Sequence, residues 1–287
     1  MPTLADIQIV TVAYNSSGVI GDMLATVPDG PDVVIVDNAS SDTDALGALA
    51  TTHGARVVTN SENRGFGAAC NLGAAQGTHP WLFFLNPDAQ MQEGCLEALL
   101  RATSTHPQAG AFSPQVRDGK GRPAFRRRSR LLPKSAHWHG PVPQQDSVVP
   151  LLNGAAVFVS RDHFEAVGGF DDTIFLYHED DDLSLRLAAQ CGPLIHVHAA
   201  CVTHAEGHST ARTPATAAFK AYHMGQSALY AMRKHNRPKP RLSVGWSAVA
   251  GLLSPINLLS SRKRAKAIGF AKGVFGPGLA KQSDVTP

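Results

Sequence analysis

An α/β fold, a mostly parallel sheet with helices on both faces, is what this sequence predicts, and three observations predict it. Short apolar runs rich in β-branched or aromatic residues, such as 33–36 and 81–85, do not alternate with polar residues, which is the pattern of strands buried on both faces. These runs alternate with helical segments in units of roughly 25–30 residues, the spacing of βαβ crossovers. Polar and charged residues gather just after each run, at Asn15, at Asp37 and Asn38, at 60–64 and at Asp88. That places them on the carboxyl edge of the sheet, where doubly wound folds hold their ligands.

Taken in order, residues 7–12 read as a strand that ends at Tyr14-Asn15-Ser16-Ser17 and is followed by a helix to about Val27. Residues 33–36 are a second strand, running into Asp37-Asn38-Ala39-Ser40-Ser41-Asp42, where Ser41 or Asp42 is placed to cap a helix through about His53. A third strand, 55–58, precedes Asn60-Ser61-Glu62-Asn63-Arg64-Gly65 and a helix of small residues over 66–76. The central strand, 81–85, ends at Asn86; Pro87 cannot donate to a ladder and turns the chain out, leaving Asp88 at the edge. A helix over 93–105 and a strand over 109–113 follow. Residues 117–150 then lose periodicity, with Gly, Pro, Gln and His among Arg126, Arg127, Arg128, Arg130 and Lys134, and a stretch this long is functional or disordered. The pattern resumes with a strand over 151–159, opened by Asn153-Gly154, a short helix over 162–167, a helix over 181–190, a strand over 195–202 and a long helix over 213–235. The tail carries an apolar segment, 244–259, interrupted by Pro255 and Asn257, and then a basic cluster at Arg262, Lys263, Arg264, Lys266 and Lys272.

At 287 residues, 43% hydrophobic and 17% charged, the composition is that of a globular protein with one large domain or a domain plus an appendage. A formal charge of +3 does not suggest a nucleic-acid binder. Cys70, Cys95, Cys191 and Cys201 are far apart with no CxxC pair, which argues against a zinc knuckle or a disulfide framework and fits a reduced cytoplasmic protein. The first residues move straight into a strand, which argues against export, and no run reaches the ~18 apolar residues of a membrane-spanning helix.

Three groups of residues carry chemistry. Asp88, an acid on a fixed turn, suits Mg²⁺ or Mn²⁺ holding a diphosphate, although Asn-Pro-Asp alone is also an ordinary turn. Glu179-Asp180-Asp181-Asp182 places four like charges in a row, either capping a helix or supplying a general base, with Arg186 spaced to orient one of them. Arg126 to Arg130 is either a solvated loop or a site for an anionic acceptor or anionic lipid, and the apolar and basic tail offers the same choice between core packing and a membrane interface. Among the histidines, His196 and His198 share a strand face, but no further ligand completes a zinc site, so they read as structural.

Six segments together resemble the ordered motif set of glycosyltransferase family 2, in particular its rhamnosyltransferase-like members. They are 10–16, 36–42, 63–73, Leu85-Asn86-Pro87-Asp88-Ala89, Gly168-Gly169-Phe170-Asp171 and 179–186, and the likeness covers about residues 7–210. The resemblance implies a GT-A fold, a nucleotide-diphosphate sugar donor, a divalent cation, Mg²⁺ or Mn²⁺, and inversion at the anomeric carbon. It implies that Asp180 is the catalytic base and that Tyr14, Asn15, Asp37, Asn38, Asn63, Gly65, Phe66, Asn71, Asn86 and Asp88 bind the nucleotide sugar. Asp37 would contact the uracil or thymine and the ribose. The first Asp of the family's DxD motif is Asn86 here, which leaves Asp88, with His204 of the segment His204-Ala205-Glu206-Gly207-His208-Ser209, as the metal-site residues. Glu179, Arg186, Arg126 and Arg128 are assigned to the acceptor or the diphosphate. The implied organisation is a GT-A domain over 1–212, with a nucleotide-binding half (1–115) and an acceptor-binding half (116–212), and a helical extension over 213–287. The implied activity is transfer of rhamnose or another hexose from a UDP- or dTDP-activated donor to a glycan or polyprenyl-diphosphate-linked acceptor. The implied setting is the cytoplasm, with peripheral contact at the inner face of the membrane left open and no nucleic-acid partner. A sugar nucleotidyltransferase is the first rival, but 11–18 has no Lys or Arg for a triphosphate loop; a non-catalytic sugar-binding module of the same fold is the second.

Overall fold

The computed structural model describes residues 2–204 and 213–277. Among them, nine strands form one sheet in the order β3-β2-β1-β4-β8-β6-β9-β5, with β7 alongside β9. The first four are β1 (Ile7–Ala13), β2 (Asp32–Asp37), β3 (Arg56–Thr59) and β4 (Trp81–Leu85), and they are mutually parallel. Beyond β4 the sheet becomes mixed. β8 (Ala156–Ser160) runs antiparallel to β4, and β6 (Ala111–Asp118) runs antiparallel to β8. β9 (Leu194–His204) is parallel to β6, while β5 (Ala89–Met91) and β7 (Ser147–Val149) are antiparallel to β9.

Burial on both faces explains the unbroken apolar runs. Ile7, Ile9, Val33, Ile35 and Phe83 point into one cluster, with Ile20, Met23 and Leu46 from helices α1 (Ser17–Leu24) and α2 (Thr43–Thr52) and Leu96 and Leu99 from α4 (Cys95–Thr105). Their neighbours Val10, Val12, Val34, Val36 and Phe84 point into the other, with Ala69 and Cys70 of α3 (Phe66–Ala74), Phe164 of α5 (Arg161–Ala166) and Leu183 of α6 (Glu179–Gln190). The alternation is the period of two that a strand imposes.

Several expectations need adjusting. Residues 151–155 are not strand, because β8 starts only at Ala156. β6 continues to Asp118, so a strand crosses the division expected at 115/116 and one sheet serves both halves. Neither Ser41 nor Asp42 caps α2 with its side chain; Asp42 instead accepts from the Ser17 N–H at 2.9 Å and so caps the neighbouring α1.

The C-terminal helices are α7 (Pro214–Lys234), α8 (Pro240–Leu253), α9 (Pro255–Leu258) and α10 (Ser261–Phe275). α7 and α10 lie in close contact, because Gly269 and Gly273 of α10 sit directly on the backbone carbonyls of Ala218 and Tyr222. A third cluster, with Ala228, Leu229 and Met232 of α7 and Val244 of α8 around Leu131 and Ile174, fastens these helices to the sheet domain. The extension is thus packed on the core rather than tethered to it.

Candidate active site

The loops after the parallel strands are sewn into one rail. Asn15, with a left-handed φ of 52°, accepts at Oδ1 from the Ser41 N–H at 2.8 Å, while its own N–H donates to Ser40 Oγ at 2.9 Å. Asn38 continues the rail to the third loop: its amide donates to Asn63 Oδ1 at 2.9 Å, and its carbonyl accepts from Asn60 Nδ2 at 2.9 Å and from the Arg64 N–H at 3.1 Å. Asp37 is fully buried, and its two oxygens accept from the Ser40 N–H and the Thr43 hydroxyl, both at 2.9 Å. Its carboxylate therefore shapes the loop and is turned away from solvent. Tyr14 stands exposed at the start of the rail.

Gly65 is the pivot between rail and acids. Its φ of 85° is left-handed, and a Cβ there would collide with the carbonyl of Phe175, whose oxygen also accepts from the Phe66 N–H at 3.0 Å. Phe66 packs edge-on against Phe170 at 6.0 Å between ring centroids. Asn71 holds the other side of that turn, donating to the Phe170 carbonyl at 2.9 Å and to Asp172 at 2.7 Å and accepting from the Phe170 N–H. Both amide protons of Asn71 are thus taken up by the Gly168–Asp172 turn. Gly65→Ala is expected to lose about 1–3 kcal/mol of stability from left-handed strain and the clash; an unchanged urea midpoint would refute this.

Asp88 is buried where the chain leaves β4, and β5 pairs Ala89 with His204 at the end of β9. That pairing brings His204 Nε2 to 3.0 Å from Asp88 Oδ1 and 3.4 Å from Asn86 Nδ2. The segment beyond His204, including His208, lies outside the described residues. Lys220 of α7 faces the same place: burial lowers its pKa, the charge of Asp88 raises it, and that of Arg262 lowers it further. Cis ligands of an octahedral Mg²⁺ or Mn²⁺ at ~2.1 Å stand about 3 Å apart, which matches the Asp88–His204 separation. Among the described residues no group of three His, Cys, Asp or Glu is arranged to hold a metal, and Asp88 and His204 offer one oxygen and one nitrogen donor side by side.

The four acids are resolved by giving each a different surrounding. α6 opens after two consecutive left-handed residues, Tyr177 (φ 67°) and His178 (φ 71°), that aim the run at the sheet edge. Asp181 is buried and accepts from Arg126 Nη2 at 2.5 Å, Ser129 Oγ at 2.7 Å and His178 Nδ1 at 3.1 Å. Burial alone would raise its pKa; these bonds and the charges of Arg126 and His178 outweigh that and hold it near about 2. Asp182 is also buried and held near about 2, because bonds from His235 (2.8 Å) and Lys234 (2.8 Å) and the charge and bonds of Arg186 (2.6 Å) outweigh desolvation. Glu179, buried with Oε2 lacking a partner, is pushed up to about 8 by desolvation and by the charge of Asp180.

Asp180 alone of the four is not buried. Its pKa is raised by desolvation and by Asp181, against the pull of Arg126 at 3.6 Å. Asp180 raises Arg126 in turn. Its side chain lies over Gly154, where a Cβ would meet it at 2.9 Å, and the next residue, Ala155, accepts from the Asn86 N–H at 3.0 Å. Asp180 and the Asn86–Asp88 turn therefore flank the same two residues, Gly154 and Ala155, at the end of β4.

The residues expected at the acceptor or diphosphate divide. Arg126 reaches the acids and Arg128 is exposed, but Arg186 is turned inward, with Nη1 donating to the Val167 and Gly169 carbonyls at 2.7 Å each and its other nitrogens to Asp182. Arg186 fixes the Gly168-Gly169 turn to α6. Glu179 likewise faces the interior. The partners Ser129, Lys220, Lys234 and His235 escaped sequence reasoning, since each lies about 40 or more residues from the acid it serves and no local pattern links them.

A model of the family described as glycosyl transferase family 2 matches residues 8–166. An N-acetylglucosaminyl-diphospho-decaprenol L-rhamnosyltransferase of Mycobacterium tuberculosis is 30% identical over 243 residues, which cover 73% of this chain and 79% of that protein. Among solved structures, a mannosyltransferase of Pyrobaculum calidifontis in complex with GDP-Man and Mn²⁺ superposes with a TM-score of 0.58 at 17% identity, covering 94% of this chain and 87% of that one. GalNAc-T7 with UDP, GalNAc and Mn²⁺ superposes with a TM-score of 0.56 at 13% identity, covering 93% and 55%. These likenesses carry the fold, GT-A. With a family model over more than half its length and a relative at 30% identity across most of it, this chain belongs to glycosyl transferase family 2 and is a glycosyltransferase.

Proposed function

We propose that this enzyme transfers rhamnose or another hexose, with inversion, from a UDP- or dTDP-activated donor to a hydroxyl of a glycan carried on a polyprenyl diphosphate, in polysaccharide biosynthesis on the cytoplasmic side of the membrane. The observation that supports the reading is that Asp180 and the Asn86–Asp88 turn contact the adjacent residues Gly154 and Ala155 near the end of β4, within reach of one substrate. The nucleotide lies along the rail of Tyr14, Asn15, Asn38 and Asn63. The acceptor hydroxyl gives its proton to Asp180 while its oxygen attacks the anomeric carbon; the bond from that carbon to the diphosphate oxygen breaks, and the nucleoside diphosphate leaves with the electron pair. Asp88 and His204 would hold Mg²⁺ or Mn²⁺, which offsets the charge of the leaving diphosphate when bound. The relative's named substrate, a diphospho-decaprenol carrying N-acetylglucosamine, favours an acceptor of that class, and two structural neighbours bound to Mn²⁺ favour the cation.

Thermal unfolding with dTDP- and UDP-sugars, with and without Mn²⁺, followed by transfer to an N-acetylglucosaminyl-diphospho-lipid, tests the reading. A matching donor at about a hundred times its Kd adds ~2.7 kcal/mol, a rise in Tm of roughly 5–10 °C. Asp88→Ala is expected to abolish the Mn²⁺-dependent part of that rise while leaving the ligand-free Tm close to wild type. A donor shift that is the same in wild type and Asp88→Ala at saturating Mn²⁺ would remove Asp88 from the site, and failure of every donor to give product or hydrolysis would remove the reading.

A further inference from the structure

The face formed by α8, α9 and the start of α10 is turned inside out. α8 buries small residues, Val244, Gly245 and Ala248, against the core, while Leu242, Trp246, Val249 and Leu253 form its outward stripe. Their spacing of four, three and four residues puts them on one side of the helix. Trp246 is 75% exposed and Leu253 74%, and the stripe continues into Ile256 at 61% and Leu259 at 86%. Scattered exposed apolar residues need no explanation, but a contiguous stripe does. The second observation is charge. Residues 213–277 contain eleven Lys and Arg and no Asp or Glu, against a whole-chain total of +3, so the remaining residues carry a net −8. Arg262, Lys263 and Lys266 stand exposed directly after the stripe.

We infer that this face is an interfacial docking surface for an anionic lipid bilayer, with the α8–α9 stripe sunk at the headgroup boundary and the start of α10 against the lipid phosphates. An acid-free basic segment beside exposed Trp and Leu is complementary to such a surface in both charge and polarity. α8, of 14 residues, is about 21 Å long, short of the ~30 Å hydrocarbon core, and no helix among the described residues is long and apolar enough to cross a membrane; the face lies on the bilayer. Its position gives docking a use. Ser247 of α8 accepts from Arg130 Nη2 at 3.0 Å, four residues beyond the Arg126 that meets Asp180 and Asp181, and Arg262 acts electrostatically on Lys220, which faces Asp88. Docking there brings the site's mouth to the bilayer surface; that use rests on the lipid-linked acceptor proposed above, whereas the docking itself does not.

The test is flotation of the whole chain with vesicles of phosphatidylcholine alone or mixed with phosphatidylglycerol, without donor or acceptor, so that its outcome is independent of the sugar chemistry. Binding is expected only to the anionic vesicles and to collapse between about 0.1 M and about 1 M salt, as the screening length falls from ~10 Å to ~3 Å. Arg262→Gln/Lys263→Gln/Lys266→Gln should weaken partition on the order of 10–100-fold, and Trp246→Glu/Leu253→Glu should abolish it, each with the wild-type Tm because the changed side chains are exposed. Trp246 emission should shift to the blue on binding, and Trp246→Phe should remove that shift. Equal binding to both vesicle types, binding that either variant leaves intact, or no binding together with a concentration-dependent dimer that Trp246→Glu/Leu253→Glu dissolves, which would assign the face to a second copy, each overturns the inference.

Discussion

Asp180→Asn is expected to lower kcat about 10²–10⁴-fold, the contribution of a positioned base, while donor affinity stays at the wild-type level. A sugar hydroxyl is a poor nucleophile at neutral pH and needs its proton taken as it attacks. Among Glu179, Asp180, Asp181 and Asp182, three are buried, and two of those are bound to cations from other elements, Asp181 to Arg126 and Asp182 to Lys234. Only Asp180 combines access to solvent with a raised pKa. The amide of Asn keeps the shape over Gly154 but cannot accept the proton, so the loss belongs to the transition state and shows in kcat. Isothermal titration of the donor alongside single-turnover rates separates the two effects. Near-normal turnover in Asp180→Asn, with loss in Glu179→Gln instead, would move the base by one position.

The neighbours make a second, dependent forecast. Because the base must be ionised and its pKa is raised, activity should fall on the acid side at a higher pH than an unperturbed Asp would give. Glu179, pushed up to about 8, is protonated at neutral pH, so Glu179→Gln mimics its neutral form and should retain most of the wild-type rate. The acid limb in that variant should stay where it is in wild type, because Glu179 is already neutral at the pH where Asp180 takes up its proton.

The parallel half of the fold was legible because its strands are buried on both faces and each ends in a polar loop, two patterns that need only local sequence. β5 and β7 were not, since three residues are too few to show either alternation or a run, yet β5 is what carries Asp88 to His204. The acids were legible as a cluster but not as individuals. Their separation depends on Arg126 and Ser129 from the irregular 117–150 segment and on Lys234 and His235 at the end of α7, all four more than 50 residues away from the acid they meet. Arg186 had the right spacing to orient an acid, but spacing could not reveal that its remaining nitrogens would bind the Val167 and Gly169 carbonyls and so face inward. The tail's apolar segment was ambiguous from composition, because only packing shows that its small residues go in and its large ones out.

Asp182→Asn is expected to cost about 3–5 kcal/mol of stability, the scale for removing one charge from a buried ion pair, and to leave kcat of the folded enzyme near wild type. Asp182 is fully buried and is the common partner of Arg186, Lys234 and His235, so it ties α6, which carries the base, to α7 of the C-terminal extension. Lys234 keeps Asp171 at 2.6 Å in the variant, but Arg186 loses its carboxylate partner and would face the neutral amide with two backbone carbonyls. Folding depresses this carboxyl to about 2, so the folded state resists a proton that the unfolded chain accepts. The stability it gives is therefore present above about pH 4 and lost as pH falls from about 4 toward 2, amounting to roughly 2 kcal/mol over that window. Wild type should lose stability across that window more steeply than Asp182→Asn, which has no carboxyl there to titrate. Urea unfolding of both proteins at pH 7 and through the acid range, with turnover measured on the folded fraction, decides the matter. A variant as stable as wild type would remove Asp182 from the joint between the two helices, and one that stays folded yet loses turnover as severely as Asp180→Asn would place it in the chemistry.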